Sequence, residues 1–307
     1  LIRCQRLSHW AMPSGICENL GKDAGKMLLC IFFITTRTYH TKTNYDFFYL
    51  TEPPFSCYTD FIYDRKDGVF MTSSPDTSGI LVCAGNATRM QGQNKILLPL
   101  GQTNVIGMSM LAMEHCDRIA EFIVVARPSD HDAIQKTIAD LQLKKCSAIV
   151  PGGATRQESV LNGIRAASKE TKLFAIHDGA RPLVKPEHIT AVIHDAEVFG
   201  GATLGVPVKD TIKVVNDGLI VDTPYRPNLY STQTPQVFQK RIYFEAVDFA
   251  LEHHLDFTDD CQLAEAINCK VYMTIGDYTN LKITTPEDIF IARMLLEKRM
   301  GESTCTK

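Results

Sequence analysis

The chain has 307 residues, 45% of them apolar and 22% charged, with a formal net charge of −3. That length fits one large domain plus an appendage and can bury a core without disulfide or metal staples. So small a net charge excludes a global positive field that would recruit nucleic acid or an anionic membrane, and leaves any phosphate chemistry to a few local cations.

Residues 1–70 carry half of the Phe, Tyr and Trp residues but show no sustained helical or strand period. Their longest apolar run, Met27 to Ile34, has eight residues, where a membrane span needs roughly 20. Eight basic and seven acidic residues do not suit a transit peptide, which is acid-poor. This stretch is expected to be a disordered or spurious N-terminal extension ahead of a domain over residues 71–301, with a short tail at 302–307. The ten cysteines include no C-x-x-C pair, which argues against a zinc or redox motif and for the reduced thiols of a cytoplasmic protein.

From Gly79 onward the pattern becomes regular. Short apolar runs recur at Gly79–Cys83, Glu121–Ala126, Ala148–Val150, Leu173–Ile176, Thr203–Val206 and Val271–Ile275, as strands buried on both faces require. Helical segments lie between them. Ser129 is placed as the cap of a helix with Ile134, Ile138 and Leu141 on one face. Thr155-x-x-Glu158 reads as a capping box opening a helix with Val160, Ile164 and Ala167 on one side. Thr285-Pro286-Glu287-Asp288 gives the last helix a cap, an N1 proline and two acids. This alternation predicts an α/β fold with a doubly wound, mostly parallel, Rossmann-like sheet. It breaks between Val206 and Gln236, where Val214–Val221 reads as a hairpin turning at Asp217-Gly218, an arm over about residues 207–232 that leaves the sheet.

After the first run comes Cys83-Ala84-Gly85-Asn86-Ala87-Thr88-Arg89-Met90, followed by Lys95. Small residues let backbone N–H groups approach a phosphate at a strand end, and Arg89 and Lys95 add positive charge. Alone, the loop reads more readily as a plain tight turn. It lacks G-x-G-x-x-G and G-x-x-x-x-G-K-[ST], which disfavours a nicotinamide dehydrogenase and a P-loop kinase or ATPase. No Ser-His-Asp or Cys-His arrangement stands out for covalent catalysis.

Further segments narrow the choice: Gly152-Gly153-Ala-Thr-Arg156-Gln-Glu-Ser159-Val160, His177-Asp178-Gly-Ala-Arg181-Pro182, Pro207-Val-Lys-Asp210-Thr211-Ile-Lys213, Gln233-Thr234-Pro235-Gln236, Thr258-Asp259-Asp260 and Asn280-Leu-Lys282-Ile-Thr284-Thr285-Pro286-Glu287-Asp288. Their order and spacing over about residues 79–301 resemble the 2-C-methyl-D-erythritol 4-phosphate cytidylyltransferases of the non-mevalonate isoprenoid pathway. The resemblance implies that the backbone at Ala84 and Gly85 cradles the phosphates of CTP, with Gly153 and Ser159 seating its cytosine and ribose. It implies catalytic roles for Arg89, Lys95 and Lys282 around the α-phosphate, and Asp178 as the ligand of Mg²⁺. Thr211, Arg226, Thr234 and Thr258 would contact the acceptor, a small sugar-alcohol phosphate. The hairpin would be a dimerisation arm exchanged in a homodimer, putting Arg226 in the neighbour's site.

Ala87 stands where the family has a second glycine, and Cys83 where it has alanine. Taken singly, Asp178 could cap a turn, and Lys95 and Lys282 could be solvated charges. Arg156 and Arg181 read as structural ion-pair residues, Cys83 as a small buried residue, and His253-His254 as solvent-facing at a helix end. Two alternatives stay open: a ribitol-5-phosphate cytidylyltransferase, and a non-catalytic nucleotide-binding protein on the same scaffold.

Overall fold

The computed structural model of the chain describes residues 75–85 and 94–304. The expectations for residues 1–70, Ala87 and Arg89 fall outside them.

The fold is α/β, built on a seven-stranded sheet. Strand β1 (Thr77–Val82) lies inside it, with β4 (Ile119–Ala126) and then β5 (Cys146–Pro151) on one side. On the other side follow β6 (Leu173–Asp178), β10 (Tyr230–Gln239), β7 (Gly201–Pro207) and β11 (Tyr272–Ile275). All neighbours run parallel except β10, which is antiparallel to both β6 and β7. The chain leaves β1 for β4 and β5, then returns to β6 on the opposite flank, so the strand order reverses at β1/β6. Ligands of doubly wound sheets settle in the crevice at such a reversal, at the carboxyl ends of the strands.

Side chains alternate across the sheet. Leu81, Phe122, Val124 and Ala175 face α1 (Val105–Glu114), α2 (His131–Asp140) and α4 (Pro186–Phe199), whose Met110, Met113, Ile134, Ile189 and Val192 complete one buried cluster. Ile80, Ile123, Val125, Phe174 and Ile176 face α3 (Arg156–Ala166), α5 (Lys240–Glu252) and α6 (Asp260–Glu265), which add Val160, Ile164, Tyr243 and Ala246. A smaller cluster seats α7 (Pro286–Thr304) through Ile289 and Ala292 on Leu100, Val105, Leu183 and Ile283. Leu100 belongs to a short ribbon of β2 (Pro99–Leu100) and β3 (Thr103–Asn104).

The arm is a separate hairpin of β8 (Val214–Asn216) and β9 (Leu219–Asp222). Asp217 and Gly218 turn it with φ of 48° and 80°, the positive pair a two-residue hairpin favours.

Two local expectations are corrected. Ser129 does not cap α2: a 3-10 turn over Pro128–Asp130 intervenes and the N-cap is Asp130, whose carboxylate instead binds Arg127 and Asn94. The capping box closes one residue early, because Glu158 accepts from the Ala154 N–H at 2.7 Å while the Thr155 hydroxyl accepts from the Glu158 N–H at 3.1 Å. The segment Gln233-Thr234-Pro235-Gln236, to which the sequence pattern assigns no element, lies inside β10.

Candidate active site

A cleft of about 580 Å³ opens at the strand reversal. The ends of four parallel strands meet in it: Ala84 and Gly85 after β1, Arg127 after β4, Gly152 to Arg156 after β5, and Asp178 at the end of β6. The first and third of these turns touch. A side chain at Gly152 would run into Ala84, so this glycine is what lets the two turns close together, and one at Gly153 would run into Glu158 of its own turn. Ser159 ties the same turn, accepting from the Gly153 N–H at 3.0 Å and donating to the Thr155 carbonyl at 2.9 Å.

Lys95 and Lys282, far apart in sequence, both line this cleft. The Lys282 ammonium lies 2.7 Å from Asp178 Oδ2, and the Lys95 ammonium donates to the carbonyl of Ile283, the residue after Lys282, at 3.0 Å. Burial would raise the Asp178 carboxyl, but the charge and hydrogen bond of Lys282, with Arg181 and Arg156 behind it, hold it below the ordinary carboxylate range. Among the described residues nothing donates to the other oxygen, Oδ1. Asp178 therefore stands as an ionised carboxylate with one oxygen committed to a lysine.

Beneath it runs a buried relay. The Asp178 N–H donates to the Thr234 hydroxyl at 3.1 Å, and that hydroxyl lies 2.9 Å from His177 Nδ1. His177 Nε2 faces the Arg181 carbonyl at 3.2 Å. A carbonyl only accepts, so Nε2 carries the proton and Nδ1 accepts from Thr234. Burial drives His177 down to about 4, against the pull of Asp178, and it stays neutral at physiological pH.

The structure thus gathers Ala84, Gly85, Lys95, Gly153, Ser159, Asp178 and Lys282 in one cleft. Thr234 lies directly below, buried, with its hydroxyl engaged inward. Thr258 lies at the start of the α6 turn, donating to Gln262 at 2.9 Å. Thr211 and Arg226 are exposed at the arm, outside the lining of this cleft, and Arg226 donates to the Lys209 carbonyl at 3.2 Å. Cys83 is buried, and burial pushes its thiol up, which leaves it a packing residue. Two cations in the cleft had not been placed there from sequence. Arg127 could have been found as the first residue past a parallel strand. Arg156 was read as a structural ion-pair residue; it does bind buried Asp260 at 2.6 Å, and it also lines the cleft.

Cations clustered at the carboxyl ends of a doubly wound sheet, with neither a dinucleotide fingerprint nor a covalent nucleophile, fit a nucleotidyltransferase. The family model for 2-C-methyl-D-erythritol 4-phosphate cytidylyltransferase (IspD) matches residues 78–298, and the chain belongs to this family. Relatives bearing that name include one from Caldanaerobacter subterraneus, 43% identical over 226 residues that span 73% of this chain and 100% of the relative. Another, from Pelotomaculum thermopropionicum, is 38% identical over 73% of this chain and 95% of its own. The crystal structure of the 4-diphosphocytidyl-2C-methyl-D-erythritol synthase from Anaerococcus prevotii aligns with a TM-score of 0.65 at 29% identity, covering 73% of this chain and 100% of that one. The 2-C-methyl-D-erythritol 4-phosphate cytidylyltransferase from Thermus thermophilus aligns at 0.58 and 29%, covering 71% and 97%. These matches do not favour the ribitol phosphate or non-catalytic alternatives.

A neutral histidine whose pKa is depressed on folding stabilises the protein fully above pH 6.5 and loses that contribution as pH falls from 6.5 through about 4. Urea melts over this window should show wild-type stability falling by about 3 kcal/mol more than that of His177→Gln. Parallel curves for the two proteins would mean that His177 titrates normally.

Proposed function

We propose that the chain transfers the cytidylyl group of CTP to 2-C-methyl-D-erythritol 4-phosphate, releasing pyrophosphate, in isoprenoid precursor synthesis. The convergence of Lys95 and Lys282 on one cleft with Asp178 is the observation that carries this reading, and the names of the relatives supply the substrates.

A phosphate oxygen of the acceptor attacks the α-phosphorus of CTP, and the bond to the β-phosphate breaks with its electron pair leaving on pyrophosphate. A phosphate monoester has a second pKa of roughly 6, so the nucleophile is already deprotonated at neutral pH and needs no general base. What the step requires is in-line placement and neutralisation of charge gathering on the α-phosphoryl oxygens. In the ligand-free arrangement, Lys282 is paired with Asp178 and Lys95 with a backbone carbonyl. Phosphate oxygens are stronger acceptors than that carbonyl and bring both ammonium groups onto the nucleotide. Ala84 and Gly85 line the same cleft, and Arg89 keeps the role that its motif implies, a further cation for the α-phosphate. The donor set also fits Mg²⁺: one ionised carboxylate oxygen plus substrate phosphates is the coordination this ion prefers, and Asp178 would hold it there, where it would add positive charge against the phosphates. Gly153 and Ser159 border the nucleoside end. Thr258, with Thr211 and Arg226 of a neighbouring arm, serves the acceptor, while Thr234 acts from beneath by holding the Asp178 turn.

The arm supports a homodimer. All seven residues of β8 and β9 are exposed, with Leu219 at 72% and Ile220 at 63%. An isolated two-stranded hairpin is marginal in water, and this one gains a partner by reaching a second subunit. No described helix is long and apolar enough to cross a membrane, and the buried free thiols Cys83, Cys116 and Cys261 suit a reducing cytoplasm.

Pyrophosphate release should require CTP, Mg²⁺ and methylerythritol phosphate together, and no release under those conditions would overturn the reading. Lys282→Ala should lower turnover by about 10²–10³-fold with a much smaller loss of CTP affinity, whereas equal losses would reduce its role to ground-state attraction. Arg226→Ala should raise KM for the acceptor and leave that for CTP unchanged. An unaltered acceptor KM would remove the arm from the site.

A further inference from the structure

Lys282 belongs to no strand or helix. It rides on an irregular strap, residues 276–285, which crosses from the edge strand β11 to α7. Such a segment holds a lysine in one place only where its own polar groups are tied down. The strap is tied along its length. The Gly276 N–H donates to Gly205 at 2.8 Å, the Tyr278 hydroxyl to the Pro207 carbonyl at 2.7 Å, and the Ile283 N–H to the Ala180 carbonyl at 2.8 Å.

The centre of the strap is Asn280, fully buried two residues before Lys282. Its Nδ2 donates to the Thr234 carbonyl at 3.0 Å and to Gln233 Oε1 at 3.3 Å. Its carbonyl accepts from Arg181 Nη1 at 2.8 Å. Both partners also serve Asp178: the Thr234 hydroxyl takes the Asp178 N–H, and Arg181 pairs with its carboxylate. One residue thus fixes the lysine and its carboxylate partner to the same scaffold. Asn280 Oδ1 is buried with no hydrogen-bond partner among the described residues. An unsatisfied buried acceptor is costly, so packing alone does not account for an amide here, and the Nδ2 donations are what it contributes.

We propose that Asn280 is a positioning residue for nucleotidyl transfer, setting where the Lys282 ammonium stands relative to Asp178 and the reacting phosphate. This rests on the reading that Lys282 meets that phosphate. The test is steady-state pyrophosphate release by Asn280→Ala and Asn280→Asp, by Lys282→Ala, and by the double variant, each first shown to be folded by its thermal melt. Asn280→Ala should lose about 10²-fold in kcat, the scale of an ångström-sized misplacement, with little change in KM for CTP. In the Lys282→Ala background the same change should cost no more than about 2-fold, because residues acting through one another are not additive. An undiminished kcat in a folded single variant, or the full loss repeated in the double variant, would overturn the proposal. Near-wild-type turnover by Lys282→Ala would instead sink the reading beneath it. If the Asn280 variants do not fold, Arg299→Ala carries the test, since Arg299 Nη2 holds Thr279 Oγ1 at 2.7 Å from outside the strap. A lower kcat at unchanged KM for CTP then supports the proposal, and an unchanged kcat overturns it.

Discussion

The contact between Lys282 and Asp178 joins the two ends of the catalytic region. Asp178 ends a central strand, and Lys282 comes from a strap that starts at the sheet's far edge. A carboxylate this buried needs a cation, and an ammonium placed beside a triphosphate site needs a countercharge until substrate arrives. Lys282 thus keeps Asp178 ionised, and their contact fixes both side chains in the ligand-free protein. Lys95, bonded to the carbonyl next to Lys282, adds a second cation through the same strap.

That economy explains how a chain of net charge −3 can gather a polyanionic nucleotide. The attraction is confined to one cleft, where Arg127 and Arg156 join the two lysines. Below the cleft the polar groups are set by hydrogen bonds that run in one direction, from the Asp178 amide through Thr234 to a neutral His177 and on to the Arg181 carbonyl. The histidine neither ligates nor shuttles protons in this arrangement; it orients the turn that presents Asp178.

Much of this was legible in the sequence, for identifiable reasons. The strands from Gly79, Glu121 and Leu173 announced themselves because parallel strands buried on both faces are continuously apolar. The hairpin showed at Asp217-Gly218 because few residue pairs accept two positive φ angles. β10 escaped because its buried half, Gln233-Thr234-Pro235-Gln236, is polar and interrupted by proline; its polar side chains serve the interior network instead of the usual apolar packing. The cap of α2 was misplaced because Pro128 opens a 3-10 turn first. In the site, the order of the motifs named the lysines and the aspartate. Nothing local announced Asn280 as the strap's pin, because that follows from contacts with Thr234 and Arg181 that only the fold brings about.

The central claim is that cations from separate stretches of chain meet on the innermost phosphate of a bound pyrimidine nucleotide. A crystal structure of the protein with a non-hydrolysable CTP analogue and Mg²⁺ tests it most directly. The account predicts the ammonium groups of Lys95 and Lys282 at roughly 2.7–3.2 Å from α-phosphate oxygens, with both withdrawn from their ligand-free partners. A nucleotide whose α-phosphate lies outside the cleft, with Lys282 still on Asp178 and Lys95 still on Ile283, would contradict it.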